Sequence, residues 1–273
     1  MKSVVPLGSL PEFFASSMKI FGLDVEDVDS AFVINNPTLR LSLQTSMSLL
    51  KGKLGDTRSL FQREDWKNGP DSERKKRTLA HLGDYASVFH RKGWSDGSEP
   101  PVILVLQKIP TSFAMKVAQH GFGVLPMSAG MFGNGLYFTE SFSHLNSVAS
   151  GGDNDVFLTS LVLPGNPFPL TEMSPGSACR PGYQSHFATT EGTNAGDCAG
   201  ELVIFDPTHA LPLFMWTTRG APQPHVQERA SPLRKEWNFS PDETWNSQLP
   251  LLISSNFFFD ALFLSLSSCG NPG

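Results

Sequence analysis

Cysteine is scarce: Cys179, Cys198 and Cys269 are the only three in 273 residues, widely spaced and odd in number. That argues against a disulfide framework and points to a reducing interior, cytoplasmic or nuclear. No Cys or His spacing matches a metal site, so no metal is expected. Charge is sparse too. Charged residues make up 17% of the chain and the net charge is −5, with no basic excess to mark a nucleic-acid binder. A secretory leader is not expected, because the first apolar run is broken by Pro6 and Pro11. No internal repeat or accessory module is visible.

Only one stretch has the apolarity of a membrane segment. Residues 249–266 include Phe257, Phe258 and Phe259 but also Pro250, Asn256 and Asp260. The run sits at the short limit of the ~20 residues that span a bilayer. It is read as a packed or loosely attached terminal helix, with a tail anchor as the less favoured alternative.

What is present reads as globular: hydrophobic residues are 40%, and Gly 24 with Pro 21 imply many turns and short strands. Three stretches are expected: an N-terminal helical and strand part (1–100), a core (101–220) and a C-terminal extension (221–273), in a monomer. Pro37, with Asn36 as cap and leucines at 39, 41, 43, 49 and 50, predicts a helix opened by proline. Ala31–Ile34 before it reads as a strand, and residues 52–70 as loop. Arg74–Arg77 begins a second helix ending near Phe89; its charges read as a solvated face, with phosphate binding or nuclear targeting as alternatives. Val102–Leu106 is an apolar run of buried-strand type. Ser112–Gln119 predicts a helix ended by Gly121. Further strands are expected at 135–139, 156–163 and 202–205, and Thr171–Gly200 reads as one long loop.

The segment Gly130–Thr139 carries chemistry. Asn134-Gly135 predicts a tight turn. Gly133 and Gly135 allow another backbone or a flat ligand to come close. Tyr137 offers a flat ring with a polar tip. Far downstream, Glu201 begins an apolar strand.

These residues resemble the poly(ADP-ribose) polymerase-like ADP-ribosyltransferases, with the nearest likeness to the protist and amoebal branch. The Gly133-Asn134-Gly135-Leu136-Tyr137-Phe138 strand is similar to the one that walls the family's nicotinamide pocket. Other family-like elements follow in order: Val33–Leu39, strand 102–106 with helix 112–119, Leu161–Pro167, Pro181–His186, Gly200–Asp206 and Ala210–Leu213. The resemblance implies an α+β chain in the ADP-ribosyltransferase fold, with two packed, mainly antiparallel sheets and flanking helices. It also implies transfer of ADP-ribose from NAD+, used as substrate, to a protein acceptor, with mono-transfer expected over chain elongation.

By that resemblance Glu201 is the catalytic carboxylate, since a carboxylate stabilises an oxocarbenium-like centre and assists deprotonation. Tyr137 is the stacking member of the triad. The family's His-Gly-Thr falls on Gln107-Lys108-Ile109, so Gln107 is either a ribose contact or an ordinary strand-end polar residue. The backbone of Lys108 would grip the nicotinamide amide. Further NAD contacts are expected from Gly133, Gly135, Tyr137, Phe138, Ser143 and Ser185. The family's carboxamide-binding Ser falls on Leu145 and its second Tyr on Val148, with Ser143 and Ser147 close by. His186 is read as either a structural or a catalytic histidine. Because the first motif departs from His-Gly-Thr, a weak or inactive NAD- or partner-binding module of the same fold is the alternative.

Overall fold

The structure is a computed structural model that describes residues 3–6, 12–56, 64–89, 99–147, 155–191 and 198–218. The expected C-terminal extension with its apolar run, and Val148, lie outside the described residues.

The chain is mixed α+β, with ten strands and flanking helices among the described residues. Strand β1 (Ser3–Pro6) is followed by helix α1 (Glu12–Ile20), β2 (Val28–Asn35) and α2 (Pro37–Asp56). Then come α3 (Ser72–Ala86), β3 (Ile103–Pro110) and α4 (Thr111–His120). The site region holds β4 (Ser128–Gly130), β5 (Gly133–Thr139) and α5 (Phe142–Ser147). The remainder is β6 (Asp155–Val162), β7 (Pro167–Leu170), β8 (Ser185–Glu191), β9 (Cys198–Ile204) and β10 (Ala210–Thr218).

Local chemistry explains several of these elements. Asn36 Oδ1 accepts the Leu39 N–H at 3.3 Å, capping α2, while its amide donates to the Ala118 and Gln119 carbonyls at the end of α4. Leu43, Leu50 and Leu54 bury one stripe of α2, and Leu41 and Leu49 face water. The helix runs on to Asp56, into a stretch expected as loop, because that stripe continues. Gly121 ends α4 at φ +75°, a conformation that glycine adopts freely. In α3, Arg74, Lys76 and Arg77 are exposed, as a solvated face requires.

The strands follow the order β1-β2-β10-β6-β3-β5-β9-β8-β7, with β4 paired to β5. All pairs are antiparallel except β7 with β8. Where two packed sheets were expected, the strands therefore form one hydrogen-bonded path, and residues 3–35 share it with the core. The path is pinched between β3 and β5, which pair only at Leu106 and Thr139. Val102–Leu106, each at most 2 % exposed, anchor the centre of the core. Burying each such side chain is worth about 1.5–3 kcal/mol.

Three sequence expectations need correction. The stretch 171–200 is not one loop: it contains β8, whose partner in register is β9. Strand β9 starts at Cys198, so Glu201 lies inside a strand rather than at its start. The hairpin turn falls at Met131-Phe132, closed by the Gly130–Gly133 pair, and not at Asn134-Gly135. Glycine at 135 is needed for a different reason: a Cβ there would lie 2.7 Å from Val203 and 2.8 Å from the Ile204 carbonyl oxygen.

Candidate functional site

Directly paired residues in antiparallel strands point to the same face of a sheet. Leu106 pairs with Thr139, and Thr139 with Glu201, so these share a face. Tyr137 and Val203, paired two positions along, lie on that face too. Beyond the pinch, no ladder among the described residues joins Gln107–Pro110 to Gly133–Phe138. The β3–β5 ladder is thus split beside Tyr137, with Glu201 on the next strand.

Glu201 is held from the side by a histidine that no sequence motif marks. His144, on α5, places Nε2 2.8 Å from Glu201 Oε1, and the side chains are 15% and 18% exposed. A carboxylate only accepts, so Nε2 carries the hydrogen of this bond. The short helix that presents His144 is fixed at both ends. Ser141 Oγ accepts the His144 N–H at 3.2 Å, and Ser147 Oγ donates to the His144 carbonyl at 2.8 Å. Phe142 anchors it in the core against Phe157 and Trp216. The only sequence signal was a histidine close after a strand; its partner is 57 residues away.

A second carboxylate sets the strand that carries Glu201. Glu140 Oε1 accepts the Gly200 N–H at 2.6 Å and lies 2.7 Å from His81 Nε2. His81 stacks on Phe187. Neither Glu140 nor His81 stood out in the sequence.

Tyr137 lies on β5 beside the split, and its hydroxyl is engaged. It accepts the Phe132 N–H at 2.9 Å and donates to the Gly133 carbonyl at 2.7 Å, bracketing its own hairpin turn. Burial pushes this hydroxyl above the ordinary tyrosine range, and the Glu201 carboxylate adds to the shift. The ring packs over Gly130, where a Cβ would lie 2.5 Å from Cζ.

His186 completes the clamp. Its Nδ1 is 2.8 Å from the Phe132 carbonyl, and its Nε2 accepts the Arg180 N–H at 3.0 Å. The Nε2 atom is thus an acceptor and Nδ1 the donor, the pattern of a neutral ring. Burial holds its pKa below the usual histidine value, consistent with that state. Both nitrogens are occupied, so His186 has a structural role here.

The remaining candidates divide. Gly133 has φ +132°, and a Cβ on it would meet Phe205 at 2.9 Å and His186 Nδ1 at 3.2 Å. Both strand glycines thus admit neighbouring parts of this chain. Phe138 is core, edge-on to Phe122. Ser185 is fully buried and donates to the Pro164 carbonyl at 2.6 Å. Ser143 is exposed on α5, and Ser147 serves the helix end.

Across the split, β3 presents Gln107 and Lys108 to opposite faces. Lys108 is two residues beyond Leu106, so it shares the face of Tyr137 and Glu201. Its Nζ stands 6.0 Å from the Phe157 ring centroid. Gln107 points to the other face, buried, and its Oε1 has no hydrogen-bond partner among the described residues. Gln107 and Glu201 are therefore not brought together.

A cleft of about 380 Å³ lies at the far end of β9, lined by Ser46, Lys53, Cys179, Asp206 and His209, with none of the predicted residues in it. Among the described residues, no group of three or more His, Cys, Asp and Glu side chains can hold a metal. No helix among them is long and apolar enough to cross a membrane. No protein-family model matches the chain, and no curated protein matches it either.

Proposed function

We propose that this chain is an NAD+-dependent ADP-ribosyltransferase, built on that family's fold, that moves ADP-ribose to a protein acceptor and releases nicotinamide. The observation that carries this reading is Glu201: a carboxylate set inside a strand, steadied by His144, on the face where the sheet splits. Loss of a cationic nicotinamide leaves an oxocarbenium-like ribose. A fixed, partly desolvated carboxylate stabilises such a centre better than mobile water does. The pinched sheet supports the family fold, because a split between adjacent strands gives a flat dinucleotide a wall on each side. Tyr137, latched to its hairpin, supplies one rigid wall. Transfer of a single unit is the favoured outcome.

Lys108 favours a second reading, a weakly active or non-catalytic binding module. Its cationic side chain shares the face of Tyr137 and Glu201, where a positively charged nicotinamide would have to sit. Incubation with labelled NAD+ tests the first reading: self-labelling and nicotinamide release are expected, and both disappear in Glu201→Ala. Titration of NAD+ against the wild type and Lys108→Gly tests the second. Tighter binding in the variant without turnover in either protein supports the module.

A further inference from the structure

Three histidines surround the strand that carries Glu201, and they differ in what their ring nitrogens do. His186 uses both, on the Phe132 carbonyl and the Arg180 N–H. His81 pairs with Glu140, a carboxylate that also takes the Gly200 N–H and so belongs to the scaffold. His144 uses Nε2 on Glu201, and among the described residues Nδ1 makes no hydrogen bond. The second oxygen of Glu201, Oε2, makes none either. With its side chain 15% exposed, the His144 ring is neither sealed in the core nor free to swing in solvent.

We infer that His144 is the general base of the transfer reaction, oriented by Oε1 of Glu201 while Oε2 is left to stabilise the ribose centre, and that the acceptor is a hydroxyl rather than a carboxylate. This rests on the transferase reading above. A carboxylate that accepts Nε2–H fixes the neutral tautomer with its lone pair on Nδ1, and it stabilises the imidazolium formed when Nδ1 takes a proton. The same division of labour operates in hydrolytic carboxylate–histidine pairs. In the step, the acceptor oxygen forms a bond to the anomeric carbon of the ribose as the carbon–nitrogen bond to nicotinamide breaks. The bonding pair leaves with the neutral nicotinamide. The acceptor's proton passes to Nδ1 and is released to water when the product departs. An acceptor carboxylate is already deprotonated and has no use for such a base; a hydroxyl does.

Two substitutions separate a base from a prop. His144→Gln keeps an amide donor for Glu201 but has no basic nitrogen, whereas His144→Gly removes the ring and opens room for free imidazole. With the full chain, each variant first shown to melt as the wild type does, both are expected to lose about 100-fold or more in turnover, the low end for a general base. NAD+ binding is expected to be unchanged. Added imidazole restores His144→Gly and does not restore Glu201→Gln. Modified peptides are expected to carry ADP-ribose on hydroxyl side chains and to resist hydroxylamine. Full activity in His144→Gln, absence of imidazole rescue, or hydroxylamine-labile linkages would each overturn the assignment while leaving the transferase reading in place. An independent check needs no turnover. Nitrogen-15 spectra are expected to show His144 as the Nε2–H tautomer in the wild type and as a mixture in Glu201→Gln; the same spectrum in both contradicts the pairing. A wild type that never consumes NAD+ removes both proposals together.

Discussion

Glu140 reaches over the start of β9 to accept the backbone N–H of Gly200 at 2.6 Å, one residue before Glu201. The candidate carboxylate is thereby placed by a second carboxylate acting on its own backbone. A Cβ at position 200 would lie 2.5 Å from Phe187 Cζ and 2.8 Å from Glu140 Oε2. Gly200→Ala is therefore expected to destabilise the fold by about 1–3 kcal/mol through overpacking. Glu140→Ala is expected to cost a similar amount, about 1–3 kcal/mol, by leaving a partly buried amide unpaired. Urea unfolding followed by circular dichroism measures both, and two midpoints equal to wild type contradict this placement.

Tyr137→Phe removes the hydroxyl that brackets Phe132 and Gly133. The Phe132 N–H then loses its partner in a partly buried turn, at an expected cost of about 1–3 kcal/mol in stability. The ring remains, so stacking is retained. If the thermal midpoint does not move, the bracket does not stabilise the hairpin.

Histidine burial makes stability depend on pH. Burial lowers the folded pKa of both His186 and His209, and His209 Nδ1 is buried without a partner among the described residues. For a group whose folded pKa is depressed, the unfolded chain binds more protons in the titrating range, so stability rises with pH. The contribution is full above the unfolded value of about 6.5 and is lost as pH falls through the lower, folded value. The urea midpoint is expected to be flat above neutrality and to drop below about pH 6.5. His209→Asn is expected to drop less steeply, and an identical slope rules out His209 as a contributor.

The thiols differ in reactivity. Burial pushes Cys179 up to about 11, and its Sγ donates to the Tyr183 carbonyl at 3.3 Å. Cys198 is exposed. Because the thiolate is the nucleophile, maleimide labelling near neutral pH is expected to modify Cys198 before Cys179, as read by peptide mass spectrometry. Faster labelling at Cys179 contradicts the packing around Tyr183.

Much of the fold was legible because its signals are local. Asn36-Pro37 opens α2, Gly121 closes α4, and Val102–Leu106 forms the buried centre. What was missed depends on distant partners. Strand β8 has little apolar periodicity and is a strand because β9 pairs with it. Helix α5 is only six residues long and is fixed by Ser141, Ser147 and the Phe142 anchor. The turn at Met131-Phe132 wins over Asn134-Gly135 because Tyr137 and His186 grip its backbone and position 135 must admit β9. For the candidate site, the resemblance nominated Tyr137 and Glu201. The opposite faces of Gln107 and Glu201 follow from strand register, and the grip of His144 from where α5 is seated.

Under the proposed function, Glu201 drives cleavage of the bond between ribose and nicotinamide. Nicotinamide release from NAD+ by the purified wild type and by Glu201→Gln, measured side by side, tests this. Steady release by the wild type is expected, with a loss of about 100-fold or more in the variant at equal stability. Equal release by the two proteins, or none by the wild type, would contradict it.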